Sequence, residues 1–180
     1  APPARLPEEE VKRVMKLTEK GNAYAFNHLA GCYERGILGL PQDMARANEL
    51  LLKAGELGCA AAYFNLGVVY TQGRGVEVDK KKAKHYYELA AINGSLHARH
   101  NLGCAESRAG NYQRAFKHFT LAASAGYEKS LDGVKGGFMD GHVTKEEYES
   151  TLREYQKSQD EMKSDARGKA LAARNERMDS

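Results

Sequence analysis

Three side chains stand where they could share a metal ion. His97, His100 and Cys104 fall at i, i+3 and i+7, so one helical face could present all three. Two imidazoles and a thiolate would suit zinc. The sequence shows no fourth ligand, and two of the three fall where side chains lining a groove are expected, so no metal site is expected. His28, His85, His118 and His142 are scattered and read as surface or helix-end residues. There is no Cys-His-Asn set, no Gly-x-Ser-x-Gly elbow and no His-Glu-x-x-His pair. Gly73-Arg74-Gly75 lacks the third glycine and the following helix of a phosphate loop. The run Asp79-Lys80-Lys81-Lys82 could attract phosphate, yet such a run is more often the solvated face of a helix start. These residues lead to a chain with no catalytic residues and no cofactor.

The elements that carry them follow from composition and repetition. The chain has 180 residues, 42% hydrophobic and 28% charged, within the ordinary range of folded proteins. Its charge of +3 comes from 27 bases against 24 acids, too balanced for a nucleic-acid protein. No apolar run approaches the roughly 20 residues that cross a bilayer, so no membrane insertion is expected. Cys32, Cys59 and Cys104 are odd in number and well separated, which points to a reducing compartment, intracellular and cytoplasmic, rather than a disulfide framework. The chain starts at Ala1 without a Met or a signal peptide, as a processed product or excised fragment would. All four prolines precede residue 42, which leaves the rest free to form uninterrupted helix.

Repetition sets the architecture. Leu66-Gly67 returns as Leu102-Gly103, 36 residues on, and Leu29-Ala30 with Tyr33 precedes Leu66-Gly67 with Tyr70 by 37. Asp43, Ala47, Ala54 and Gly58 align with Asp79, Ala83, Ala90 and Gly94 at 36. Ala115, Phe119, Ala122 and Gly126 follow Ala83, Tyr87, Ala90 and Gly94 at 32, the four lost residues falling in the loop between two helices. Each repeat reads as two helices. The first carries a stripe of Ala62, Leu66, Val69 and Tyr70, with Gly67, Gly103 or Ala30 where two backbones approach. The second opens at Asp43 or Asp79, buries Ala83, Tyr86 or Tyr87, and Ala90, and ends at Gly58, Gly94 or Gly126. Ser95 is the expected cap of the helix that follows Gly94.

The pattern resembles the Sel1-like repeat family, relatives of the tetratricopeptide repeat. The resemblance rests on Leu66-Gly67 with Tyr70, Gly73-x-Gly75-Val76, Asp79, Lys82-Ala83, Tyr86-Tyr87-Glu88 and Ala90-Ala91-x-x-Gly94, and it covers about residues 22–140. The first repeat departs with Gly36-Ile37-Leu38-Gly39 in its loop, and the third lacks the Gly-Val-x-x-Asp loop. The resemblance implies an all-α, right-handed α-solenoid, a superhelix of antiparallel helix pairs whose first helices line the concave side. The expected division is 1–21 for a tail and partial repeat helix, then repeats at 22–58, 59–94 and 95–126. Residues 127–180 hold a degenerate fourth repeat and a long charged C-terminal helix.

The ends complete the array. Residues 6–20 read as a second helix without its first, opened by Pro7 and three glutamates, with Gly21 in the place of Gly58. Near Glu128 a fourth repeat begins, with Val134 and Phe138 in the Leu66 and Tyr70 places. Thr144-Lys145-Glu146-Glu147 is a capping box opening the last helix. There Tyr148, Leu152, Tyr155 and Met162 are expected to pack back, with Glu149–Arg153 and Asp165–Lys169 as supporting pairs. A polar terminal helix is the expected cap of an array, whose end projects into solvent. Leu171 and Met178 leave a faint apolar stripe that would suit a docking arm.

Projecting the first helices leaves Tyr24, Asn27 and Arg35, then Phe64, Val68 and Gln72, then His97, His100 and Arg108, then Lys129 and Asp132 opposite the packing stripe. Phe64 beside two His, with Arg at the rim, has the aromatic and charged mixture of binding sites. Alternatively, Phe64 packs against the neighbouring helix. The expected function is a non-catalytic scaffold or adaptor that binds a peptide or protein segment in this groove. The alternative is a regulatory or assembly subunit that docks to an enzyme or membrane-associated complex through its long C-terminal helix. Partner identity and oligomeric state are not written in these residues.

Overall fold

The computed structural model describes residues 7–178, and among these it contains nine α-helices and no strand. They are α1 (Pro7–Glu19), α2 (Ala23–Arg35), α3 (Met44–Glu56), α4 (Ala60–Gln72), α5 (Lys80–Ile92), α6 (Leu96–Arg108), α7 (Tyr112–Ser124), α8 (Glu128–Met139) and α9 (Lys145–Met178). The chain divides into two compact units, one ending at Ala98 and one beginning at Arg99, and α6 supplies residues to both. In the first unit each helix packs on the next, from α1 on α2 to α4 on α5; in the second, α7, α8 and α9 pack on one another. The expected Leu6 and the side chains of Leu171 and Met178 lie outside the described residues.

Local chemistry starts and stops these helices. Asp43 accepts the Arg46 amide at 2.9 Å, and Asp79 accepts those of Lys81 and Lys82 at 3.0 and 2.9 Å. Ser95 caps α6 through the Ala98 amide at 3.2 Å, and Asn22 caps α2 through that of Ala25 at 3.0 Å. Replacing Asp79 with Ala should cost about 1 kcal/mol, read from the urea midpoint. At the far ends Gly58, Gly94 and Gly126 adopt φ of +91°, +92° and +94°. Each left-handed residue turns the chain so that the next amide bonds back to a buried carbonyl. Cys59 donates to Ala54 at 2.9 Å, Ser95 to Ala90 at 2.9 Å and Tyr127 to Ala122 at 3.0 Å. The shortened third loop departs from this scheme. Asn111 makes no side-chain cap and instead donates from Nδ2 to the buried Glu106 carboxylate at 2.9 Å.

Between helices, rings lie on glycines. A methyl group at Gly67 would overlap the Tyr87 ring, and one at Gly103 would meet Phe119 Cε1 at 2.6 Å. Around these contacts Ala62, Leu66 and Val69 are buried in the first unit, and Phe119, Val134 and Val143 in the second.

The last helix opens on the expected capping box. Thr144 donates its amide to Glu147 Oε2 at 2.8 Å, and the Glu147 amide donates to Thr144 Oγ1 at 3.3 Å. The Thr144 amide, and then its hydroxyl, hold the Glu147 carboxyl below the usual carboxylate range. A carboxyl whose folded value is depressed stabilises above its unfolded value, about 4.3, and that gain is lost as pH falls through the folded value. The urea midpoint of the parent should therefore exceed that of Glu147→Gln at about pH 6, and the gap should close by about pH 3. Further along, Tyr148 stacks on Phe138 at 5.3 Å and Gln159 Nε2 donates to the Gly126 carbonyl at 3.1 Å. Glu149 pairs with Lys145 at 3.6 Å rather than with Arg153, one turn the other way. From Asp160 to Lys169 every described side chain is exposed.

Candidate interaction face

In the first unit, α2 and α4 lie on the side away from α3 and α5. Tyr24, at the start of α2, is 75% exposed. One turn on, Asn27 is half-buried and accepts a bond from Asn65 Nδ2 of α4 at 3.1 Å. Phe64 is not a free ring. It is half-buried, with its centroid 5.8 Å from Tyr87 on one side and 5.8 Å from His97 on the other. The cause is Gly67: with no side chain there, Tyr87 drops against the α4 backbone and offers its other side to Phe64. The ring therefore serves as a floor, and the exposed aromatic role falls to Tyr24. Val68 is half-buried beside it.

The rim is made of folded-back charge. Arg35 donates from Nε to the Gly31 carbonyl at 3.0 Å, and Gln72 accepts from Arg74 Nε at 2.7 Å. Arg74 also pairs with Glu34, joining the ends of successive first helices. On the other side of α4, Tyr70 stacks on Tyr86 at 5.5 Å and Lys82 lies 5.2 Å over the Tyr70 ring. Burial, then the neighbouring Tyr70 and Tyr63, pushes the Tyr86 phenol up. This stack joins α4 to α5 and gives Lys82 a packing role.

In the second unit His100 is half-buried between Phe119 and Tyr127, with ring centroids at 5.3 and 5.4 Å. Its Nδ1 lies 3.0 Å from Ser130 Oγ and its Nε2 3.5 Å from Cys104 Sγ. Arg108, Lys129 and Asp132 are exposed there. Periodicity does not single out Asn65 or Ser130, because each acts across 30 or more positions of sequence. The recurrence of Asn65 at Asn101 is the available signal for the first.

Among the described residues, no group of three or more His, Cys, Asp or Glu could hold a metal ion, and no helix is long and apolar enough to cross a membrane. The family model of the Sel1 repeat matches residues 23–59, 60–95 and 97–127, more than half of the chain. The ERAD-associated E3 ubiquitin-protein ligase component HRD3B of Arabidopsis thaliana is 32% identical over 105 residues, 57% of this chain but 16% of that protein. A Sel1 repeat protein from Oxalobacter formigenes superposes with a TM-score of 0.71 at 24% identity, over 84% of this chain and 64% of that one. A protective antigen of uropathogenic Escherichia coli strains gives 0.69 at 27% identity, over 84% of this chain and 33% of that one. The fold class is thus the all-α repeat of paired antiparallel helices, of the solenoid type. The chain spans less than two thirds of the length of each of these relatives.

Proposed function

Because the chain belongs to the Sel1 repeat family, whose helix pairs serve as protein–protein interaction modules, we propose that it is a non-catalytic adaptor whose α2–α4 face holds an extended segment of a partner protein. The observation that carries this reading is the Asn27–Asn65 amide pair beside exposed Tyr24. One hydrogen bond between the two amides leaves the Asn27 NH2 as donor and the Asn65 carbonyl as acceptor. A peptide backbone presents the complementary pair. Tyr24 adds a large, amphipathic contact at small entropic cost. Three unpaired cysteines support a reducing, intracellular setting.

Peptides selected from a displayed random library against the whole chain supply the test. Asn27→Ala, Asn65→Ala and Tyr24→Ala should each weaken a selected peptide by roughly tenfold, the size of one good hydrogen bond or aromatic anchor. Leu52→Ala, on exposed α3, should leave affinity alone. Undiminished affinity in all three face variants would refute the reading. The second reading, docking through α9, draws on the exposed run from Asp160 to Lys169. Deleting residues 163–180 should leave peptide affinity intact; loss of binding there would favour α9 over the face.

A further inference from the structure

The second unit places a thiol, an imidazole and a hydroxyl in line, and no part of the adaptor reading uses them. Cys104 Sγ lies 3.5 Å from His100 Nε2, and His100 Nδ1 lies 3.0 Å from Ser130 Oγ. In the tautomer protonated at Nδ1, that N–H donates to Ser130 Oγ and Nε2 is left to accept the thiol proton. The imidazole cannot swing freely, because Phe119 and Tyr127 hold it from two sides. Ser130 is fully buried, so its hydroxyl is fixed as well. Cys104 itself is only partly buried.

The other two thiols make the contrast. Cys32 also has a histidine one turn back, His28, but at 3.9 Å, and it is 1% exposed. Burial pushes the Cys32 thiol up, away from thiolate. Cys59 is 1% exposed too. Only Cys104 combines access with a base held in place.

We propose that Cys104 is a reversible thiol-modification site that takes small disulfides carrying carboxylates, with His100 as its base and Ser130 as the positioning residue. The Cys104 proton passes to His100 Nε2 as Sγ attacks one sulfur of the disulfide. The new Sγ–S bond forms while the S–S bond breaks. The departing thiolate takes the proton from the imidazolium, so the disulfide is reduced to one free thiol and Cys104 is oxidised to a mixed disulfide. Excess thiol reverses the step. The carboxylate preference comes from Arg108, one helical turn beyond Cys104 on α6, and from exposed Lys129 next to Ser130 on α8. Asp132 on α8 and the Tyr127 phenol are the other titratable groups around the pair, and α7 meets it with the Phe119 ring.

The test treats the whole chain with glutathione disulfide and follows intact mass, peptide mapping and rate against pH. One adduct is expected, at Cys104, with a rate at pH 7 roughly tenfold above that of a free peptide thiol, whose pKa is about 8.5. The rate should rise with pH around a midpoint below that value. His100→Gln and Ser130→Ala should slow the reaction and move the midpoint toward about 8.5. Arg108→Gln should slow reaction with glutathione disulfide but not with the neutral hydroxyethyl disulfide. An adduct at Cys32 or Cys59 instead, or a parent midpoint at the ordinary thiol value, overturns the proposal. The parent profile decides the matter even where a variant fails to fold. Equal Arg108→Gln rates with both disulfides overturn the carboxylate preference.

Discussion

Gly67→Ala is expected to destabilise the protein by about 2 kcal/mol, although alanine is the better helix former. Propensity alone favours the change by roughly 1 kcal/mol. Against it stands the Tyr87 ring, which a methyl group at this position would overlap. Overfilling a packed interior typically costs about 1–3 kcal/mol, and it costs most where the neighbour cannot move. Tyr87 is buried, its hydroxyl lies 3.3 Å from Thr71 Oγ1, and Phe64 covers its other side. Its ring has no room to retreat. The clash should therefore exceed the propensity gain, and the urea midpoint should fall. In a double-mutant cycle with Tyr87→Ala the two costs should be less than additive, since removing the ring opens the space that the added methyl group needs. A Gly67→Ala midpoint at or above that of the parent would show that the ring does not sit on this backbone.

Leu66→Ala is expected to cost more, about 3 kcal/mol. Leu66 is 3% exposed and belongs to the cluster that joins α2, α3 and α4. Truncating such a residue loses its transfer free energy and leaves a cavity whose walls are held by their own helices. Leu102→Ala, 36 residues on and equally buried, should behave alike. Tyr24→Ala, by contrast, should stay within about 0.5 kcal/mol of the parent, because an exposed side chain leaves no cavity. Comparing urea midpoints of the three variants separates the packing stripe from the proposed partner face. A costly Tyr24→Ala beside a harmless Leu66→Ala would reverse that assignment.

Much of the fold is legible because each repeat carries the same local instructions. Asp79 caps a helix by itself, Gly94 needs only its own φ, and Ala90 needs only to be small; each acts within a turn of its own position. The ring-on-glycine contacts are half legible. Gly67 signals close approach, yet Gly55 under Tyr63 and Gly137 under Phe116 carry no motif that announces them. The candidate face is the least legible part. Asn27 and Asn65 meet across 38 positions, and His100 and Ser130 across 30, distances at which side-chain pairing depends on helix packing rather than period. Phe64 shows the same limit. Its place in the repeat is plain, but whether its ring faces out or lies on Tyr87 depends on where Tyr87 itself can go. Leu38, at φ +59° without being glycine, marks where the first loop takes a path that its composition does not foretell.

A nitrogen-15 NMR titration of the whole chain with a library-selected peptide tests the adaptor reading most directly. The reading predicts shifts concentrated at the side-chain amides of Asn27 and Asn65 and at the backbone around Tyr24. Resonances of the outer helices, such as Leu52 and Ile92, should stay in place. Saturable binding with the large shifts on α3 and α5, and none at the asparagine amides, would contradict it.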